Sequence, residues 1–152
     1  ECLGTNFRIS ELNAAVGLAQ LRKLDAILET QRKYKKIIKN ELGKIDHISF
    51  RTITDSDGDS ATFLSFFLPD ENRARKSAAA LARAGVDGCF YWYDNNWHYI
   101  RKWDHLKNYQ NLDLPVSDSI MSRTISMQIK LSWTEEDVKK RTETMINVLK
   151  GE

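Results

Sequence analysis

The segment Gly4-Thr-Asn-Phe-Arg-Ile-Ser-Glu-Leu-Asn-Ala-Ala-Val-Gly-Leu-Ala-Gln-Leu-Arg-Lys-Leu-Asp25 begins as a polar loop and turns into a helix whose neighbours decide the architecture of the chain. Ser10 stands where an N-cap belongs. Its side-chain oxygen can accept from a first-turn amide, and Glu11 puts negative charge at the positive helix end. Beyond them Leu12, Ala14, Ala15, Val16, Gly17, Leu18, Ala19 and Leu21 are apolar on almost every side, whereas a helix lying on a small domain shows one apolar stripe. This half-helix therefore requires more than one neighbour. Ala14, Ala15, Gly17 and Ala19 are small enough to admit another backbone, as at a domain junction or a subunit interface; a central core helix is the plainer reading.

From Leu21 the apolar positions narrow to one face, Leu24, Ile27, Leu28, Tyr34, Ile38 and Leu42, while Arg22, Lys23, Arg32, Lys33, Lys35, Lys36 and Lys39 face water. With Gly43 as its stop, the pattern predicts one helix from about Ser10 to Leu42, long enough to bridge two layers or domains. Alternation predicts strands over 47–53 and 60–68, joined by a turn in which Asp57-Gly58 supplies a positive φ. The Asp55-Ser-Asp-Gly-Asp59 run is not a calcium loop, because Gly58 comes too early and no glutamate closes twelve residues.

Pro69-Asp70 opens a helix over 71–84 with Ala78, Leu81 and Ala82 as its packing face, and Gly85 ends it. A third strand is expected over 86–93, a brief helix over 118–123 and a last strand over 124–131. Thr134 caps the final helix, with Asp137 at the capping-box position and Val138, Met145, Ile146 and Leu149 facing inward. The result is an α+β fold, a small antiparallel sheet covered by helices. It divides into a junction loop and linking helix over 1–42 and a small domain over 43–152.

Composition narrows the function. The 152 residues suffice for a core, and a formal net charge of +2 lacks the concentrated basic field of nucleic-acid binding. The two cysteines, Cys2 and Cys89, suggest neither a disulfide framework nor a metal site and fit a reducing cytoplasm. No apolar run approaches a membrane span, and the first residue, Glu1, agrees with a fragment.

Gly4, Asn6, Arg8, Ser10 and Glu11, followed by Ala14-Ala15, Gln20-Leu21 and Leu24-Asp25, resemble the end of the large domain in the DegT/DnrJ/EryC1/StrS sugar aminotransferases, pyridoxal-phosphate enzymes of fold type I. Gly58-Asp-Ser-Ala61, the run Gly85 to Tyr93, Asn95-Asn-Trp-His-Tyr99, Ile120 to Met127 and Lys130-Leu-Ser-Trp-Thr134 extend the likeness over the whole chain. It reaches only the C-terminal portion of that family. The resemblance implies the small domain of a homodimeric enzyme that uses pyridoxal 5'-phosphate to move an amino group, from a donor such as glutamate, onto a keto-sugar such as 8-oxo-3-deoxy-octulosonate in lipopolysaccharide biosynthesis. It also places the Schiff-base lysine and the carboxylate facing the pyridine upstream of Gly4, so no catalytic residue is expected here.

The same resemblance gives Asn6 the task of hydrogen-bonding the cofactor phosphate held by the neighbouring subunit; a loop-stabilising role is the alternative. Arg8 can grip a substrate carboxylate with its planar fork, or form an ion pair beside Glu11. His98 lies where family members place a substrate-cleft residue, yet a lone histidine also serves structure. Trp97 and Tyr99, with Tyr91, Trp92 and Tyr93, either form a sugar-stacking wall or close the core. Two further readings remain: a nucleotide-sugar aminotransferase domain, and a non-catalytic ligand- or nucleic-acid-binding module using the aromatics with Arg101 and Lys102.

Overall fold

The computed structural model describes residues 8–94 and 98–151. Its elements run α1 (Glu11–Leu21), α2 (Leu24–Leu42), β1 (Ser49–Phe50), β2 (Phe63–Phe67), α3 (Glu71–Arg83), β3 (Cys89–Phe90), α4 (Pro115–Met121), β4 (Thr124–Gln128) and α5 (Glu135–Gly151), with short 3-10 turns between β3 and α4. The strands form one antiparallel sheet in the order β1-β2-β4-β3. The fold is α+β, as the sequence predicts.

Strand register sorts the side chains onto two faces. Leu64 lies opposite Met127 and Phe66 opposite Ile125, and all four point into the core with Tyr34, Ile38 and Leu42 of α2, Ala74 and Leu81 of α3, and Val138, Met145 and Leu149 of α5. Phe66, Ile38, Leu42, Leu81 and Ile125 are completely buried. Two side chains tie α2 to the segment after β4: Gln31 Nε2 donates to Ile129 O at 3.1 Å, and Tyr34 Oη donates to Trp133 O at 2.8 Å. Each satisfies a buried backbone carbonyl that the ladder leaves unpaired.

The caps form as predicted. Ser10 Oγ accepts from Asn13 N at 3.2 Å, Asp70 Oδ1 from Arg73 N at 2.8 Å, and Thr134 Oγ1 from Asp137 N at 3.1 Å, while Asp137 Oδ2 accepts from Thr134 N at 2.9 Å. Gly85, with φ at 74°, ends α3 in the left-handed region that a glycine enters without penalty.

Other expectations are corrected. The helix expected from Ser10 to Leu42 is two helices, parted at Arg22 and Lys23, where the Lys23 amide reaches Gln20 O instead of continuing the α ladder. The break coincides with a change in packing: no residue of α1 is buried, whereas α2 is anchored from Gln31 onward. Strands expected over 47–53 and 86–93 shrink to two residues each, because an edge strand pairs only where its single neighbour offers a partner. In α3 Leu81 and Ala78 pack against the core as expected, joined by the buried Ala74 and Ser77, whereas Ala82 is exposed.

The loop between β1 and β2 is not built on a left-handed Gly58. Asp55 Oδ1 accepts from Asp57 N at 3.0 Å and from Gly58 N at 2.9 Å, and the left-handed residue is Ala61, with φ at 57°. Lys35, assigned to water by periodicity, is buried and donates to Asp59 Oδ2 at 2.6 Å, while Arg32 Nε donates to Asp59 O at 2.9 Å. Two cations of α2 thus hold this loop against the helix.

Candidate functional site

Helices cover one face of the sheet. The other face carries Phe63, Ser65 and Phe67 of β2 opposite Gln128, Ser126 and Thr124 of β4, and here a cleft of about 640 Å³ opens. Period-two alternation produces it: the residues that skip the core on β2 and β4 form its floor. Ser65 Oγ and Ser126 Oγ are 2.8 Å apart, and Thr124 Oγ1 donates to Ile120 O at 2.5 Å. Arg51, just beyond β1, stands at one side, and Ile120 and Met121 of α4 form another wall. Trp92 and His98 complete the lining.

The aromatic wall is internally braced. Trp92 stacks on Phe90 with ring centroids 4.7 Å apart, meets Phe63 edge-on at 6.1 Å and lies 4.1 Å from the imidazole of His98. Behind it the tyrosines tie the segment after β3 to α4. Tyr99 Oη donates to Asp118 Oδ1 at 2.6 Å, Tyr93 Oη to the same oxygen at 3.3 Å, and Arg101 pairs with Asp118 Oδ2. The Tyr99 hydroxyl, more than Arg101, holds the Asp118 carboxyl below the usual carboxylate range. Tyr91 Oη donates to Ser122 O at 2.7 Å, and burial pushes this phenol up to about 12. Arg75 lies over Tyr91 at 5.1 Å, and Lys102 over Tyr93 at 4.8 Å.

Residues 1–145 match the DegT/DnrJ/EryC1/StrS aminotransferase family. The chain belongs to this family. Its fold is similar to that of Helicobacter pylori PseC, an aminotransferase involved in the biosynthesis of pseudoaminic acid, with a TM-score of 0.79 at 15% identity over 100% of this chain and 40% of that one. It is also similar to the sugar aminotransferase CalS13 from Micromonospora echinospora, with a TM-score of 0.73 at 21% identity, covering 95% of this chain and 37% of that one. A Streptococcus pneumoniae protein solved in its PMP form gives a TM-score of 0.70 at 16% identity, over 95% of this chain and 36% of that one. The chain thus spans about two fifths of the length of these structures, and at such identities they show the fold.

Aminotransferases of the DegT/DnrJ/EryC1/StrS family depend on pyridoxal 5'-phosphate. That cofactor requires a lysine amine and a carboxylate facing its pyridine nitrogen. Among the described residues neither a lysine nor an aspartate or glutamate lines the cleft, so these residues do not by themselves fit the reactive end of the cofactor.

Of the residues singled out in the sequence, Asn6 and Trp97 lie outside the described residues. Arg8 is exposed, two residues before the Ser10 cap, and does not line the cleft. His98 does line it. Tyr99 is buried behind the wall, 5% exposed, with its hydroxyl on Asp118. The aromatic cluster therefore divides: Trp92 and His98 face the cleft, while Tyr91, Tyr93 and Tyr99 close the structure. Arg101 and Lys102 belong to this closing network. Sequence reading missed Arg51, Ser65 and Ser126; the signal for the two serines was the polar alternate of two apolar strands, while Arg51 lies just beyond β1.

Proposed function

We propose that this chain is the C-terminal domain of a pyridoxal-phosphate-dependent sugar aminotransferase, supplying substrate-side and cross-subunit contacts while the Schiff-base lysine and the pyridine-facing carboxylate lie in a preceding large domain. The observation that carries the reading is the family match over 1–145 combined with a cleft that, among the described residues, offers aromatic, hydroxyl and guanidinium groups but no lysine or carboxylate. The substrate proposed is a keto-sugar such as 8-oxo-3-deoxy-octulosonate, the amino donor glutamate and the assembly a cytoplasmic homodimer. The sequence motifs of the first subsection favour, within the family, 8-amino-3,8-dideoxy-manno-octulosonate transaminase of lipopolysaccharide biosynthesis over nucleotide-sugar members. No helix among the described residues is long and apolar enough to cross a membrane.

Asn6 is the proposed donor to the cofactor phosphate across the dimer. Arg8, Trp97, His98 and Tyr99 are the proposed substrate side, with Tyr99 acting through the network that fixes the wall. The test uses mixed dimers of the longer enzyme. Asn6→Ala removes one hydrogen bond to a charged group, about 1.5–3 kcal/mol, and weakens cofactor binding by roughly ten- to a hundredfold. Pairing a subunit carrying only Asn6→Ala with one lacking only the lysine leaves the single working lysine facing an intact Asn6, so cofactor binds normally. Placing both changes in one subunit, paired with wild type, leaves the working lysine facing the altered residue, and binding weakens. Equal affinity in the two arrangements contradicts the cross-subunit role.

A further inference from the structure

The cleft on the face of the sheet opposite the core has a one-sided charge among its described residues. Among the described residues its lining holds one guanidinium, Arg51, and one imidazole, His98, and no carboxylate. Arg51 is exposed, and its side chain makes no hydrogen bond or ion pair among the described residues. The acid whose charge it feels, Asp59, is already paired with Lys35 at 2.6 Å. Lys39 lines a smaller hollow beside Arg51 and adds a second cation at this end of the cleft.

The floor adds donors and acceptors of a particular kind. The two hydroxyls of Ser65 and Ser126 are 2.8 Å apart, so one hydrogen lies between them and the other O–H is left to donate elsewhere. Thr124 Oγ1, having donated to Ile120 O, keeps lone pairs to accept. Around them Phe63, Phe67 and Trp92 present apolar rings. Rings for C–H faces, neutral hydroxyls for hydroxyls and a planar fork for an anion make a set that complements an acidic sugar. A second protein surface would bring a carboxylate to Arg51 but leave the serine hydroxyls without a specific task.

We propose that this cleft binds the anionic group of a sugar, with Arg51 as the anchor and the Ser65–Ser126 pair as the hydroxyl-recognising floor. A carboxylate and a phosphate both match the guanidinium fork. The proposal deepens the aminotransferase reading and rests on it for the sugar, while the anion and its anchor come from the lining of the cleft. It makes Arg51, rather than Arg8, the residue of this domain that selects charged substrates.

The test titrates the 152-residue chain, observed by amide and tryptophan indole NMR, with 3-deoxy-octulosonate, a uridine diphosphate sugar and neutral glucose. The acidic sugar, the nucleotide sugar or both shift the signals of Ser65, Ser126 and Trp92, glucose at the same concentration does not, and whichever anion responds identifies carboxylate or phosphate as the source. Arg51→Gln weakens the response at least about tenfold, the scale of one lost charged hydrogen bond. Arg51→Lys, which keeps the charge and loses the fork, falls between. An equal response to glucose, no response from these residues up to tens of millimolar, or unchanged binding in both Arg51 variants overturns the proposal. Amino transfer by the longer enzyme is assayed separately. Transfer that persists without Arg51-dependent binding overturns only the anchor, whereas Arg51-dependent binding without transfer overturns only the aminotransferase reading.

Discussion

Asp59 and Lys35 show how one pair decides the conformation of a loop. Lys35 is 7% exposed, so leaving its ammonium without a partner carries a desolvation cost that Asp59 offsets. Burial works against the Asp59 charge, but the Lys35 ammonium and the Ala61 amide outweigh it and hold the carboxyl below its usual value. A carboxyl with a depressed folded value contributes stability that is fully present above the ordinary aspartate range, near pH 4, and is lost as pH falls through the folded value. Asp59→Asn therefore destabilises the protein at pH 7 by about 1 kcal/mol, at the low end for a charged hydrogen bond because the pair is partly solvated. The difference from wild type shrinks as denaturant melts are moved from pH 6 toward pH 3; a difference independent of pH contradicts this account. None of this was legible in the sequence. Periodicity assigns Lys35 a face but cannot show that an acid 24 residues away lies over it, nor that Asp55, by taking two amides itself, frees Gly58 from a positive φ.

At the level of elements, what depends on a few adjacent residues was readable, and what depends on distant pairing was not. Ser10, Asp70 and the Thr134–Asp137 box cap their helices as their local chemistry dictates. The short edge strands and the break at Arg22 and Lys23 depend on where partners stop. The exposure of α1 is the clearest consequence of the opening segment: Leu12, Val16, Leu18 and Leu21 are 75%, 53%, 53% and 63% exposed, and no residue of this helix is buried. An isolated helix of this length is marginal in water. The chain alone accordingly either self-associates through α1 or exchanges α1 amides far faster than those of α2. Hydrogen exchange combined with sedimentation decides the matter: a strictly monomeric chain whose α1 amides are as protected as those of α2 contradicts the reading of α1 as a surface awaiting a neighbour.

For the molecule as a whole, the sheet makes a core on one side and a cleft on the other from the same two strands. The core half was legible because apolar residues alternate. The cleft half was not, because Arg51, Ser65, Trp92, His98 and Ser126 are scattered along the sequence and become neighbours only through the pairing of β2 with β4 and the path of the chain after β3. The family membership supports the proposed aminotransferase role, and among the described residues the cleft holds neither a lysine nor a carboxylate. The most direct test of that claim is to incubate the chain with pyridoxal 5'-phosphate, reduce with borohydride and map the labelled lysines. The account predicts weak labelling spread over surface lysines and no transaminase activity, whereas one lysine labelled stoichiometrically would place a Schiff-base site within this chain and contradict it.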